Sequence, residues 1–101
     1  MGRARRLRTF KKKRSIRLDY YKQGFVYFIC TQYRKLPKGM AAKLDRIVCD
    51  VGGFDSSALR KLLFDVSSSV RSVSMEYNLS EGKLNALRDE FYKKAYKELT
   101  R

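Results

Sequence analysis

The stretch from residue 69 to residue 91 constrains the fold more than any other part of this chain. Its apolar residues recur at helical spacing in two runs, which a short polar segment interrupts. These residues are Val73 and Tyr77 in the first run, and Leu84, Leu87 and Phe91 in the second. Asn78 ends the first run, and asparagine tolerates the left-handed conformation of a sharp turn. Because Ser80 is a good helix cap, the spacing predicts two helices joined by a turn in which Leu79 is buried.

This order of small, apolar, turn and capping residues resembles the helix-turn-helix of bacterial and phage repressors and activators, including small regulators of mobile elements. The resemblance covers residues 69 to 91, and the sequence departs from the commonest pattern at Ser74, where alanine is usual, and at Asn78, where glycine is usual. It implies an all-α domain of four or five helices in which the helix from Glu81 onward docks in the major groove of DNA. The function implied is sequence-specific DNA binding by a transcription regulator or a recombination accessory factor.

One set of predicted DNA contacts lies in this stretch. It comprises Ser80, Glu81, Gly82, Lys83, Asn85, Ala86 and Arg88 on the second helix, and Arg71 on the first. With Leu84 and Leu87 facing inward, Asn85 and Arg88 are expected to point away from the core. Asn85 would then pair with adenine, and Arg88 with guanine or a phosphate. Gly82 is expected to let the end of the helix approach the DNA closely. The alternative is a two-helix corner without DNA contact.

A second set belongs to a basic arm at the N-terminus. The chain carries 24 Lys and Arg residues against 10 Asp and Glu residues, for a net charge of +14. Nine of the basic residues precede residue 18, with no acid among them: Arg3, Arg5, Arg6, Arg8, Lys11, Lys12, Lys13, Arg14 and Arg17. This density of like charge predicts a flexible arm over residues 1 to 18 that binds phosphates or lies in a minor groove. The alternatives are a solubilising tail and a ribosome-type extension, with Leu7, Phe10 and Ile16 docking locally.

The remaining chain, residues 19 to 101, is predicted to be helical. Residues 20 to 34 favour a helix capped by Asp19, although the run from Phe25 to Thr31 also suits a strand. A second helix starts near Pro37 and ends at Gly52 and Gly53, and Asp55 or Ser56 caps a third. Their expected buried stripes are Met40, Leu44, Ile47, Val48 and Val51 in the second helix, and Leu59, Leu62, Leu63 and Val66 in the third.

The last helix is expected to continue beyond the turn motif as far as Leu99. Its apolar stripe is longer than one short partner helix covers. The surplus is therefore expected to pack either on residues 20 to 34 or on a second copy of the chain, which would make a homodimer through this helix. Cys30 and Cys49 each lie among apolar residues and are predicted to be buried free thiols, with a disulfide as the alternative.

The composition argues against several other classes of protein. The chain has no histidine, no glycine-rich phosphate loop and only scattered acids, so it is predicted to be no enzyme and to hold no metal or cofactor. No apolar run suits a bilayer or a signal peptide, which predicts a cytoplasmic, nucleoid-associated protein. The expected partner is duplex DNA, with a recombinase or RNA polymerase alongside it. The rival interpretations are a structural RNA-binding protein of the ribosome type and a small inhibitor of an acidic protein.

Overall fold

The computed structural model describes residues 16 to 100, and all regular secondary structure in that range is helical. Short 3-10 helices at Tyr33–Lys35 and Gly53–Asp55 connect the first three α-helices. The α-helices are α1 (Tyr20–Thr31), α2 (Lys38–Gly52), α3 (Ser56–Phe64), α4 (Val70–Tyr77) and α5 (Glu81–Leu99). The predicted all-α fold is confirmed, and the run from Phe25 to Thr31 is helix rather than strand.

The larger of two apolar clusters joins α1, α2, α3 and α5 around Phe91, which is fully buried. The other buried members are Ile16, Val26, Cys30, Leu44, Ile47, Val48, Leu59, Leu63, Tyr92 and Ala95. Leu99 packs against the same cluster, so the surplus apolar surface of α5 is covered by α1 and α2. That packing removes the reason for placing a second copy of the chain on this helix.

The smaller cluster takes one buried residue from each of three helices: Ala58 from α3, Val73 from α4 and Leu84 from α5. Leu79, in the turn between α4 and α5, packs against this cluster and is half-buried. Helices α3, α4 and α5 therefore form a three-helix unit, in which the predicted helix, turn and second helix are present. This unit positions the N-terminal half of α5.

Three of the expected buried residues are exposed instead. Val66 is 71% exposed because α3 ends at Phe64, so helical spacing no longer applies two residues later. Met40 lies at the exposed start of α2, and Cys49 lies on the side of α2 opposite its buried stripe. Both cysteines are free, and burial raises the pKa of the Cys30 thiol to about 12.

The folded domain includes Ile16, which lies before the predicted boundary at residue 19. Ile16 is fully buried, and Gln23 of α1, also fully buried, donates from Nε2 to the carbonyl oxygens of Ile16 at 3.0 Å and Leu18 at 3.1 Å. The Arg17 amide donates to Asp89 Oδ1 of α5 at 2.6 Å. Residues 16 to 18 of the predicted flexible arm are thus fixed between α1 and α5, whereas its residues 1 to 15 lie outside the described residues.

Replacing Gln23 tests this attachment. Gln23→Leu keeps most of the buried volume but leaves the Ile16 and Leu18 carbonyl oxygens without the donated hydrogen bonds. We expect the free energy of unfolding, measured by urea denaturation, to fall by about 1–3 kcal/mol. The control is Gln32→Leu, at a half-buried position just after α1, where we expect a change below about 0.5 kcal/mol. Equal losses in the two variants would contradict the role given to Gln23.

Candidate nucleic-acid interface

The turn between α4 and α5 is fixed by local hydrogen bonds that the sequence predicted in part. Asn78 adopts the left-handed conformation, with φ 55° and ψ 47°, as expected for the residue that ends α4. Ser80 caps α5 by accepting the Lys83 amide hydrogen at 3.0 Å. The Ser74 hydroxyl donates to the Leu79 carbonyl oxygen across the turn. Because these bonds fix the start of α5, its exposed face has a defined direction.

A second set of caps fixes the start of α4. The Ser69 hydroxyl accepts the Ser72 amide hydrogen at 3.1 Å, and the Ser72 hydroxyl accepts the Ser69 amide hydrogen at 2.9 Å. Arg71 lies exposed in this first turn. The α4 N-terminus therefore presents one cation at the positive end of a helix, an arrangement that suits a phosphate.

The exposed face of α5 is centred on Ala86. At about 100° per residue, Lys83, Ala86 and Asp89 follow one another at intervals of about 60° around the helix axis. The exposed residues on this side are Gly82, Lys83, Ala86, Glu90, Lys93 and Lys97, which we call the α5 strip. Its N-terminal half carries only small residues at Gly82 and Ala86, and a Cβ added at Gly82 would meet no atom of residues 16 to 100 within 4 Å.

The two edges of the α5 strip are each tied to another part of the fold. At one edge, Lys83 Nζ lies 2.9 Å from Asp55 Oδ2 in the 3-10 helix Gly53–Asp55. At the other edge, Asp89 accepts the Arg17 amide hydrogen and lies 3.2 Å from Lys93 Nζ. The chain that follows the basic N-terminal residues therefore enters the fold along one edge of the strip, and a short 3-10 helix lies along the opposite edge.

The expectation that Arg88 points outward is wrong. Arg88 is half-buried, and its Nη2 donates to Asn85 Oδ1 at 2.9 Å. It lies with Tyr92 in a recess between α5, α1 and the segment that joins α3 to α4, and burial lowers the pKa of its guanidinium. The reason is angular: Arg88 follows Leu84 by four residues and so lies only about 40° from it around the helix. Asn85 is also half-buried rather than fully outward.

The other predicted contacts have clear positions. Ser80, Glu81, Gly82, Lys83 and Ala86 come together at the N-terminal end of α5, and all five are exposed. Arg17 is exposed next to Asp89. The remaining arm residues, Arg3, Arg5, Arg6, Arg8, Lys11, Lys12, Lys13 and Arg14, lie outside the described residues.

Sequence reasoning missed a polar cluster that lies between α2, α3 and the 3-10 helix Tyr33–Lys35. Asp45 Oδ1 lies 2.6 Å from Arg60 Nη2 and accepts the Tyr33 hydroxyl at 2.7 Å. The Tyr33 and Phe64 rings stack with their centroids 4.3 Å apart, and hydrogen bonds to Tyr33 and Asp45 raise the pKa of Arg60. Tyr33, Arg60 and Phe64 line one wall of an open cleft of about 860 Å³. The residues of the cluster come from α2, α3 and a 3-10 helix, so no local spacing could have revealed it.

Sequence reasoning also missed Phe54, whose side chain is fully exposed beside Asp55. The only local signal is the Gly52-Gly53 pair before it, which indicates a special backbone rather than an exposed ring.

Comparisons with protein-family models, with curated proteins and with solved structures give no match to this chain. None of the helices described here combines the length and the apolar composition that a membrane span requires.

Proposed function

We propose that this protein binds duplex DNA by placing the N-terminal half of the α5 strip in the major groove, with the basic residues before Ile16 on the flanking phosphates. The observation that carries the proposal is the position of Arg17 beside Asp89. It brings the C-terminal end of a strongly basic segment to the edge of an exposed helix face that includes Gly82 and Ala86. A helix in the groove and a basic arm beside it would then contact one stretch of duplex.

The shape of the α5 strip supports a close approach of this helix to DNA. The major groove of B-form DNA is wide enough for an α-helix, whereas that of A-form RNA is too deep and narrow for side chains to read. Gly82 lies in the first turn of α5, and a Cβ added there would meet nothing within 4 Å among residues 16 to 100. The missing side chain leaves room for a phosphate or a base edge at the start of the helix.

The distribution of charge indicates different roles for the basic arm and for the α5 strip. Eight of the basic residues lie in residues 1 to 15 without an acid, whereas all 10 acids lie in residues 16 to 100. Several cations among residues 16 to 100 are already paired, including Lys83 with Asp55, and Lys61 with Glu76 at 2.9 Å. The arm therefore supplies most of the attraction to phosphates, which does not depend on base sequence.

Reading of the bases falls to the exposed side chains of the first turns of α5. Ala86 suits contact with a thymine methyl group, and Lys83 suits the acceptor atoms of guanine if it leaves Asp55. Arg88 lies in the recess beside α1 and donates to Asn85 Oδ1, so this pair lies outside the strip. Glu81 lies at the exposed start of the helix, where its charge repels phosphates and so opposes binding in a wrong register.

A matched pair of glycine substitutions tests the docking face. Gly82 and Gly39 are each the second residue of a helix, and a Cβ added at either position meets no described residue within 4 Å. Leucine is the better helix former, so both Gly82→Leu and Gly39→Leu should fold at least as stably as the parent. Fluorescence anisotropy on a duplex selected from a random pool by the parent should give Gly82→Leu a Kd at least tenfold higher, with Gly39→Leu unchanged.

Two results would contradict the proposal. One is equal affinity of the two variants for the selected duplex while both remain folded by circular dichroism. The other is a parent protein that binds an RNA duplex of the same sequence as tightly as the DNA, which would favour the RNA-binding interpretation.

Deleting residues 2 to 15 tests the role of the arm. The deletion stops before Ile16 because that residue is buried in the core. Each lost phosphate contact should reduce the slope of log affinity against log salt by about 0.9, because fewer counterions are released. A full-length variant in which the eight basic residues become glutamine removes the charge but keeps the length of the arm. Its slope of log affinity against log salt should fall by the same amount as in the deletion. An unchanged slope in either variant would contradict phosphate binding by the arm.

A further inference from the structure

Phe54 has the most exposed side chain of the large apolar residues described, with a relative exposure of 108%. It occupies the middle of the 3-10 helix Gly53–Asp55, between α2 and α3. A ring in this position makes no contribution to the apolar core. Single exposed apolar residues are common on protein surfaces, so exposure alone does not indicate a function.

The backbone before and after Phe54 is fixed in place. A Cβ on Gly52 would lie 3.1 Å from Ser56 Oγ, and Gly53 has a φ of 55°, so both positions favour glycine. The Ser56 hydroxyl donates to the Gly53 carbonyl oxygen at 2.7 Å and closes the turn. Phe54 is therefore held outward by a turn with its own packing requirements, so its direction is set before any partner binds.

The turn that carries Phe54 lies next to the α5 strip. Asp55, the next residue, lies 2.9 Å from Lys83 through its carboxylate, at the edge of the strip opposite Asp89 and Arg17. A duplex lying on the strip would thus have the basic arm on one side and the Phe54 ring on the other. Aromatic side chains contact thymine methyl groups and deoxyribose, and apolar side chains can wedge against base steps.

We infer that Phe54 is a DNA-contacting residue that packs its ring against deoxyribose and base edges beside the groove occupied by α5. This inference rests on the proposed function and extends it. The ring provides apolar contact and fixes the position of the duplex on the side away from the arm. Because its contribution does not involve charge, it should persist at salt concentrations that weaken the arm.

The chain contains no tryptophan, so Phe54→Trp introduces a single fluorescent reporter at this position. Acrylamide quenching, excited at 295 nm, measures how accessible the reporter is to solvent. On saturation with the selected duplex, the quenching constant of Phe54→Trp should fall at least threefold. Tyr21→Trp is the matched control, because Tyr21 is 82% exposed on α1, and its quenching constant should not change.

Affinity measurements with alanine variants complete the test. Phe54→Ala should fold normally, since its ring is exposed, and should raise the Kd for the selected duplex at least threefold at 0.3 M salt, whereas Tyr21→Ala should not. If the parent binds the duplex but Phe54→Trp stays as accessible as before and Phe54→Ala binds normally, the inference about Phe54 is overturned and the proposed function stands. If the parent fails to bind any duplex, both are overturned.

Discussion

The packing of the inward side of α5 is the constraint on which the rest of the structure depends. Leu84 joins the small cluster with α3 and α4, while Phe91 and Ala95 join the large cluster with α1 and α2. One helix thus contributes to both parts of the core, so its rotation about its own axis is fixed at two points. That rotation decides which residues stay outside, and it leaves Gly82 and Ala86 in the middle of the exposed face.

The sequence predicts those features that arise from neighbouring residues. The helices, the left-handed turn at Asn78 and the cap at Ser80 each depend on a few consecutive positions, and they are confirmed. The predicted outward direction of Arg88 is wrong because the other helices cover a wider arc of α5 than the Leu84 and Leu87 spacing alone indicates. Arg88 lies inside that arc. The hydrogen bond from Gln23 to the Ile16 carbonyl oxygen also depends on tertiary packing. Helical periodicity identifies apolar positions as buried and therefore could not predict a buried glutamine.

The candidate interface combines interactions of different range. Charge on residues 1 to 15 acts over about a Debye length, roughly 8–10 Å at physiological salt, and attracts any polyanion. The α5 strip and Phe54 act only at contact, where shape and side-chain chemistry matter. Arg17 attaches the basic arm to one edge of the α5 strip, and Asp55 attaches the turn that carries Phe54 to the opposite edge. A duplex bound between them would be constrained in both position and orientation. This separation of attraction from positioning is the physical basis of the proposal.

Chemical-shift mapping of the backbone amides during titration with the selected DNA duplex tests the central claim most directly. The account predicts that the largest shifts fall on the exposed side of residues 82 to 93, at residues 53 to 55 and at residues 16 to 18. It also predicts small shifts around Tyr33, Arg60 and Phe64, which line the open cleft away from the α5 strip. Shifts concentrated at that cleft, with residues 82 to 93 unchanged, would contradict the assignment of α5 as the DNA-binding helix.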